Sequence, residues 1–112
     1  MTHGMMGDDA VNAQVERILR SEVFRNAEAM RRLLRFLVDK SLSGQAEQLK
    51  EYTIGIDALG KPPTYDPRQD SVVRIQVGRL RQKLAEYYRR EGKGDPILID
   101  LPKGRFKLSW ED

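Results

Sequence analysis

The stretch SVVRIQVGRLRQKLAEYYRRE, residues 71–91, decides the fold of this chain of 112 residues. Its apolar residues recur at the spacing of one helix face: Val73, Val77, Leu80, Leu84, Tyr87 and Tyr88. The opposite side carries arginine and glutamine, with Gly78 in the middle. This periodicity predicts an amphipathic helix whose apolar stripe is buried and whose outer face is polar and cationic.

The N-terminal part of the chain begins with a short leader and two predicted helices. Residues 1–7 are rich in glycine and methionine, and we expect them to be disordered. The Asp8–Asp9 pair can cap a first helix that ends near residue 21. Asn26 can cap a second helix, and Gly44 is a natural end for it. We expect residues 8–112 to form a single domain.

A third, shorter helix and a proline-rich loop lead into the helix at 71–91. The third helix is predicted over about residues 51–59. Its inner face is expected to carry four apolar residues: Leu49, Tyr52, Ile56 and Leu59. Residues 61–67 contain three prolines, which remove backbone donors and fix φ, so this segment is predicted to be a stiff surface loop. Asp70 is the expected cap of the helix that follows.

After residue 91 the apolar residues alternate with polar ones, a spacing typical of β-strands. Residues 97–101 and 106–110 show this alternation, and the segment PKGR at residues 102–105 lies between them. Proline and glycine at these positions favour a tight turn, because glycine adopts positive φ without strain. The sequence therefore predicts a β-hairpin over about residues 97–110 with a basic tip.

The composition argues against an enzyme. The chain has no cysteine, and its single histidine, His3, lies in the predicted leader. It therefore offers no thiolate nucleophile and no imidazole base within the folded region, and we expect no catalytic residue, metal ion or cofactor. No apolar run reaches the ~20 residues of a membrane span. The first residues lack the basic and apolar regions of a signal peptide, so a cytoplasmic location is expected.

The charge of the chain is unevenly distributed. Residues 71–107 contain ten basic and four acidic residues, a net charge of +6. The remaining ten basic and thirteen acidic residues leave the rest of the chain at −3. A basic region of this kind attracts polyanions. A solvated helix face would show the same pattern, and charge alone does not decide between the two interpretations.

The outer face of the 71–91 helix suits double-stranded DNA. Arginine and glutamine match the edges of guanine and adenine in the major groove, and the exposed position of Ile75 would suit a thymine methyl group. Gly78 costs about 1 kcal/mol relative to alanine within a helix, and close approach to another surface is one use for it. The order of two short helices, a basic helix and a basic hairpin is typical of a winged helix-turn-helix. The predicted DNA-binding residues are Ser71, Arg74, Ile75, Gly78, Arg79, Arg81, Gln82, Lys83, Lys103 and Arg105.

Two sequence segments resemble a known family. Residues 70–84, DSVVRIQVGRLRQKL, resemble the recognition-helix signature of OmpR/PhoB-type winged-helix domains, and residues 97–108, ILIDLPKGRFKL, resemble their wing. The resemblance is closest to a subgroup at the N-terminus of adenylate-cyclase-like and TPR-containing bacterial regulators. That subgroup's pattern is matched by FLV, LKEYTI, YDPRQD and LPKG, which begin at residues 36, 49, 65 and 101. The resemblance covers about residues 15–110.

This resemblance implies a mainly helical winged helix-turn-helix with a small β-wing and an extra N-terminal helix. It implies binding to double-stranded DNA in transcriptional regulation, with a recognition helix over about residues 71–91 in the major groove and a wing over about 97–110 on the backbone or minor groove. It places Arg79 on a base-contacting position and Ser71 on a phosphate-binding one, whereas Gly78 has no side chain to donate there.

The sequence also departs from the wider family. The glycine pair of the wing is reduced to PKG at residues 102–104, and the four-stranded N-terminal platform is replaced by the helix from about residue 9 to 21. We expect this helix to be the contact of a homodimer. Two alternatives to DNA stay open from the sequence alone: an adaptor that docks an acidic protein partner on its basic face, and RNA binding by the same surface.

Overall fold

The computed structural model describes residues 3–111, with side chains from residue 8 onwards. Within this range the chain forms four α-helices, one short 3-10 helix and two strands. In chain order these are α1 His3–Arg20, α2 Glu28–Leu42, the 3-10 helix Ala46–Gln48, α3 Glu51–Asp57, α4 Val72–Arg89, β1 Leu98–Asp100 and β2 Ser109–Glu111. The strands pair antiparallel with Ile99 opposite Trp110. The prediction of a mainly helical fold with a small antiparallel sheet is confirmed.

α4 lies at the centre of the hydrophobic core. Its buried stripe consists of Val73, Val77, Leu80, Leu84 and Tyr87. The helix packs against α2, α3 and β1, and α1 packs on α2. Fully burying a valine or leucine side chain contributes about 1.5–3 kcal/mol, so this stripe fixes the rotation of α4 about its axis. The predicted amphipathic helix is confirmed, and the same burial leaves its other side facing outward.

α1 starts earlier than the sequence predicts. It begins at His3, so the predicted leader is helical from that residue onwards, while Met1 and Thr2 lie outside the described residues. The Asp8–Asp9 pair therefore lies inside the helix and does not cap it. The reason is that a helix whose apolar face is packed extends at little cost per added residue, and residues 4–7 contain no proline to stop it.

The start of α2 also differs from the prediction. The residue in the N-cap position is Ala27, whose side chain cannot accept a hydrogen bond, and Asn26 lies in the preceding turn. Ser21 organises that turn, because its hydroxyl accepts the Phe24 N–H at 3.3 Å and its carbonyl accepts the Arg25 N–H at 2.9 Å. The turn geometry is thus set before Asn26, which leaves that side chain exposed.

α3 is shorter than predicted and turns a different residue inward. Ile54 is buried, whereas Tyr52 is 44% exposed. The Tyr52 ring stacks on Tyr65 with a centroid distance of 6.1 Å, and its hydroxyl donates to the Pro63 carbonyl at 3.0 Å. The proline-rich loop therefore supplies an aromatic residue, Tyr65, that packs against α3 and leaves Tyr52 at the surface.

The hairpin has shorter strands and a longer loop than predicted. The ladder stops at Asp100 and resumes at Ser109, because Leu101 and Leu108 turn into the core and are buried. The free edge of β1 is covered by Tyr88, whose hydroxyl donates to the Ile97 carbonyl at 2.8 Å and accepts the Ile99 N–H at 2.9 Å. None of the helices within residues 3–111 combines the length and apolar character needed to cross a bilayer.

Candidate nucleic-acid interface

The outer face of α4 is open. Ile75 is 50% exposed, and Arg79 and Gln82 are exposed beside it. A Cβ added at Gly78 would meet nothing within 4 Å, so the helix backbone itself is accessible at this point. These four residues are three or four positions apart and lie on one face. The structure thus brings together four of the predicted site residues on an uncovered surface.

The beginning of α4 is fixed by Asp70. Its carboxylate accepts the Val72 N–H at 3.0 Å and pairs with the Lys61 ammonium at 2.9 Å. The hydrogen bond from Lys61, followed by that from the Val72 backbone, holds the pKa of Asp70 below its ordinary value. The Asp70 side chain thus satisfies a backbone donor at the start of α4, as predicted, but from one residue before the N-cap position. Ser71 occupies the N-cap position itself, where it is half-buried and its hydroxyl makes no capping bond.

Two predicted site residues are already engaged within the protein. Arg74 pairs with Glu51 at the start of α3, with 2.5 Å between Nη1 and Oε2. Lys83 lies on the other side of α4 and donates to the Val23 carbonyl at 3.2 Å. Both contacts tie α4 to a neighbouring segment, so these side chains are less available to a ligand than their sequence positions predict.

Arg81 holds the loop between the strands. Its Nε donates to the Leu101 carbonyl at 2.7 Å, and its Nη2 donates to the Pro102 carbonyl at 3.3 Å. Both carbonyls have left the β-ladder. The Pro102 carbonyl also accepts the Arg105 N–H at 3.3 Å, whereas a buried carbonyl such as that of Leu101 would cost about 1–3 kcal/mol without a partner. Arg81 therefore positions the loop against α4. In sequence it is indistinguishable from Arg79, which makes no such contact in the described structure.

The loop carries exposed cations beside α4. Lys103 and Arg105 are exposed, and no described carboxylate pairs with either. Gly104 turns the chain with φ of 77°, a conformation that favours glycine. A cleft of about 310 Å³ separates the loop from α4 and is lined by Arg74, Val77, Arg81, Gly104, Arg105 and Phe106. The predicted basic tip thus stands next to one side of α4.

A groove borders the other side of the outer face. It measures about 530 Å³ and lies between the N-terminal end of α2 and α4. Its lining includes Arg79 and Gln82 from α4, Met30 from α2 and the N-cap residue Ala27, with Glu28 and Glu86 as its acidic members. The open face of α4 is therefore a ridge between this groove and the cationic loop.

A polar cluster at the other end of α4 fixes α1. Asp95 accepts hydrogen bonds from the Gln14 amide at 2.8 Å, from Arg17 at 3.0 Å and from the Tyr87 hydroxyl. Burial opposes ionisation of Asp95, but these three donors outweigh it and hold the pKa of the carboxyl below its ordinary value. Burial first, and then the hydrogen bond to Asp95, raises the pKa of Tyr87 well above its usual range. No local sequence pattern indicates this cluster, because Gln14 and Arg17 lie far from Tyr87 and Asp95 in the chain.

The apolar face of α1 packs within the protein itself. Val11, Val15 and Ile18 are fully buried, and Gln14 on the same face is 1% exposed. The exposed side of the helix carries polar residues such as Asn12, and Glu16 there pairs with Arg35 of α2. The homodimer predicted through this helix stays a prediction, and from residue 8 onwards its contacts would be mainly polar.

The site offers charge and shape but no reactive group. The described side chains include no set of three or more histidine, cysteine or carboxylate residues placed to hold a metal ion. Comparisons with protein-family models, with curated proteins and with solved structures find no match to this chain. The functional argument therefore depends on the residues of the outer face and of the loop.

Proposed function

We propose that this chain is a winged helix-turn-helix domain that binds double-stranded DNA in transcriptional regulation. α3 and α4 form the helix-turn-helix, α4 is the recognition helix, and the loop between β1 and β2 is the wing. The observation that carries this proposal is the open outer face of α4, with Arg79 and Gln82 exposed around a bare Gly78. A helix with paired donors and acceptors on an uncovered ridge has the form that enters a major groove.

The chemistry of the ridge supports readout of bases. The Arg79 guanidinium can donate two hydrogen bonds to guanine, and the Gln82 amide can bond to adenine with both its donor and its acceptor. Ile75 exposes an apolar surface that suits a thymine methyl group. Gly78 lets the backbone of α4 approach the DNA without an intervening side chain. Lys103 and Arg105 are then in place for the backbone or minor groove beside the recognition helix.

Three predicted residues take other roles in this proposal. Arg81 positions the wing by holding its carbonyls, and Lys83 ties α4 to the segment before α2. Arg74 is held by Glu51, so the carboxylate would have to release it before it could contact DNA. The bases are therefore read mainly by Ile75, Arg79 and Gln82.

Salt dependence tests the proposed class of function. Binding to a random-sequence duplex, measured by fluorescence anisotropy, is expected to weaken by at least tenfold between 50 and 200 mM salt, because each phosphate contact releases counterions. Single-stranded DNA and duplex RNA of the same length serve as competitors and should compete less well. Absence of duplex binding at 50 mM salt would contradict the proposal, and stronger competition by RNA would replace it with RNA binding.

Arg79→Ala should reduce both affinity and sequence preference. A bidentate contact to guanine contributes about 1–3 kcal/mol of discrimination, so we expect about a tenfold loss of affinity for duplexes selected by the unaltered protein. Affinity for random duplex should change far less. Arg20→Ala, at the exposed end of α1, is the control and should behave as the unaltered protein. Equal losses on selected and random duplexes would assign Arg79 to the backbone instead.

A further inference from the structure

The wing borders a second cleft, whose lining contains no residue of α4. It measures about 410 Å³ and lies between the wing and the segment that joins α2 to α3. Its lining includes Glu47 and Lys50 from that segment and Arg105, Phe106 and Lys107 from the wing. Lys50, Arg105 and Lys107 are exposed, and among the described residues none of them has an ion-pair partner. Glu47 is the one acid in the lining, so the cleft is cationic.

The two clefts beside the wing differ in whether their basic side chains have partners within the protein. In the cleft that faces α4, Arg74 pairs with Glu51 and Arg81 bonds to two wing carbonyls. Those guanidinium groups are largely neutralised or satisfied within the protein. In the second cleft neither Lys50 nor Lys107 has an ion-pair partner among the described residues. The charge available to an anion is therefore concentrated between the wing and Lys50.

The second cleft adjoins the beginning of the recognition helix. Lys50 immediately precedes Glu51, and the Glu51 carboxylate holds Arg74, which is followed by Ile75 on the outer face of α4. Lys50 thus stands at the N-terminal end of α3, the first helix of the proposed helix-turn-helix. In such motifs the first helix crosses the DNA backbone while the second enters the groove.

We infer that this second cleft binds the sugar–phosphate backbone of DNA, with Lys50 and Lys107 as phosphate contacts alongside Arg105. The inference rests on the proposed DNA-binding function and extends its footprint to two residues that the sequence analysis did not single out. Lys107 alternates with apolar residues and Lys50 lies outside the 71–107 basic region, so neither stood out in the sequence. Because both would touch phosphate, they add affinity on every sequence without selecting among bases.

Charge-neutral variants test the second cleft. We would measure the slope of the logarithm of the dissociation constant against the logarithm of salt concentration, using a random-sequence 20-base-pair duplex and fluorescence anisotropy. Lys50→Gln and Lys107→Gln are each expected to flatten the slope by about 0.9, and the double variant by about 1.8. Lys93→Gln is the matched control, because Lys93 is exposed beyond the far end of α4, a helix about 27 Å long.

The outcomes separate this inference from the proposed function. Flattened slopes in the cleft variants, an unchanged slope for Lys93→Gln and equal losses on selected and random duplexes support the second cleft. If the unaltered protein shows a steep salt dependence and the double variant shows the same slope, the inference that the second cleft binds phosphate is wrong, while the proposed DNA binding stands. Duplex binding that is absent in the unaltered protein overturns both. Circular dichroism melts of each variant, expected to match the unaltered protein, establish that the exposed substitutions leave the fold intact.

Discussion

Asp95→Asn is expected to lower the free energy of unfolding by about 2–3 kcal/mol. The Asp95 carboxylate accepts hydrogen bonds from Gln14, Arg17 and the Tyr87 hydroxyl. An asparagine side chain replaces one acceptor oxygen with an NH₂ group, which would face donors that need an acceptor. At least one donor in a largely buried site would then lose its partner, and such a loss costs about 1–3 kcal/mol in itself.

Because of the same carboxylate, the free energy of unfolding should depend on pH in the acid range. Its pKa is lowered from 3.8 in the folded protein, so the native state holds fewer protons than the unfolded state in the acid range. The stabilisation is complete above the unfolded pKa and is lost as the pH falls through the folded pKa. As the pH falls below about 4, the unaltered protein should therefore lose more stability than Asp95→Asn. Asp66 and Asp70, whose pKa values are also lowered, titrate in both proteins and cancel in the comparison.

Urea unfolding followed by the fluorescence of Trp110 measures these differences. Asp100→Asn is the matched control, because Asp100 is exposed on β1 and makes no described side-chain hydrogen bond. Hydrogen exchange should show faster exchange of α1 amides in Asp95→Asn, with α2 much less affected, because two of the three donors to this side chain, Gln14 and Arg17, lie on α1. A loss of stability no larger than that of Asp100→Asn would show that the cluster does not hold α1 in place.

The sequence predicts α4 well because its determinant is local. The apolar stripe repeats within one helix, so periodicity alone indicates which side is buried and which is open. That argument correctly places Ile75, Arg79 and Gln82 on the surface. It cannot separate Arg79 from Arg81, because the partners of Arg81 are carbonyls of the wing, and their position depends on the packing of Leu101 in the core.

The features missed in the sequence are those that depend on distant partners. Gln14 and Asp95 are joined across almost the whole chain, and no spacing rule connects them. The inner face of α3 was assigned from local spacing, but Tyr65 from the following loop packs there and leaves Tyr52 outside. Asn26 has a good capping side chain, yet Ser21 fixes the preceding turn first. Local preference is thus overridden by a tertiary contact at Tyr52 and by a competing local turn at Asn26.

The packing of Tyr65 on α3 predicts that Gly55→Ala destabilises the protein, although alanine is the better helix former. Helix propensity alone would give a gain of about 1 kcal/mol. A Cβ at Gly55, however, would clash with Cε2 of the buried Tyr65 ring, which would have to move and would lose its stack on Tyr52. Overpacking of this kind costs about 1–3 kcal/mol, and displacement of the ring exposes apolar area in addition. We expect a net loss of about 2 kcal/mol.

Gly78→Ala provides the matched comparison, because the same substitution in α4 meets nothing within 4 Å. Stability should rise by about 1 kcal/mol, since only helix propensity changes there. Thermal melts of the two variants should therefore shift in opposite directions. If DNA lies against the bare backbone of α4, Gly78→Ala should also weaken duplex binding while it raises the melting temperature. A more stable Gly78→Ala protein with undiminished affinity would mean that the DNA does not approach α4 at this residue, whereas a stabilised Gly55→Ala protein would mean that Tyr65 is free to leave α3.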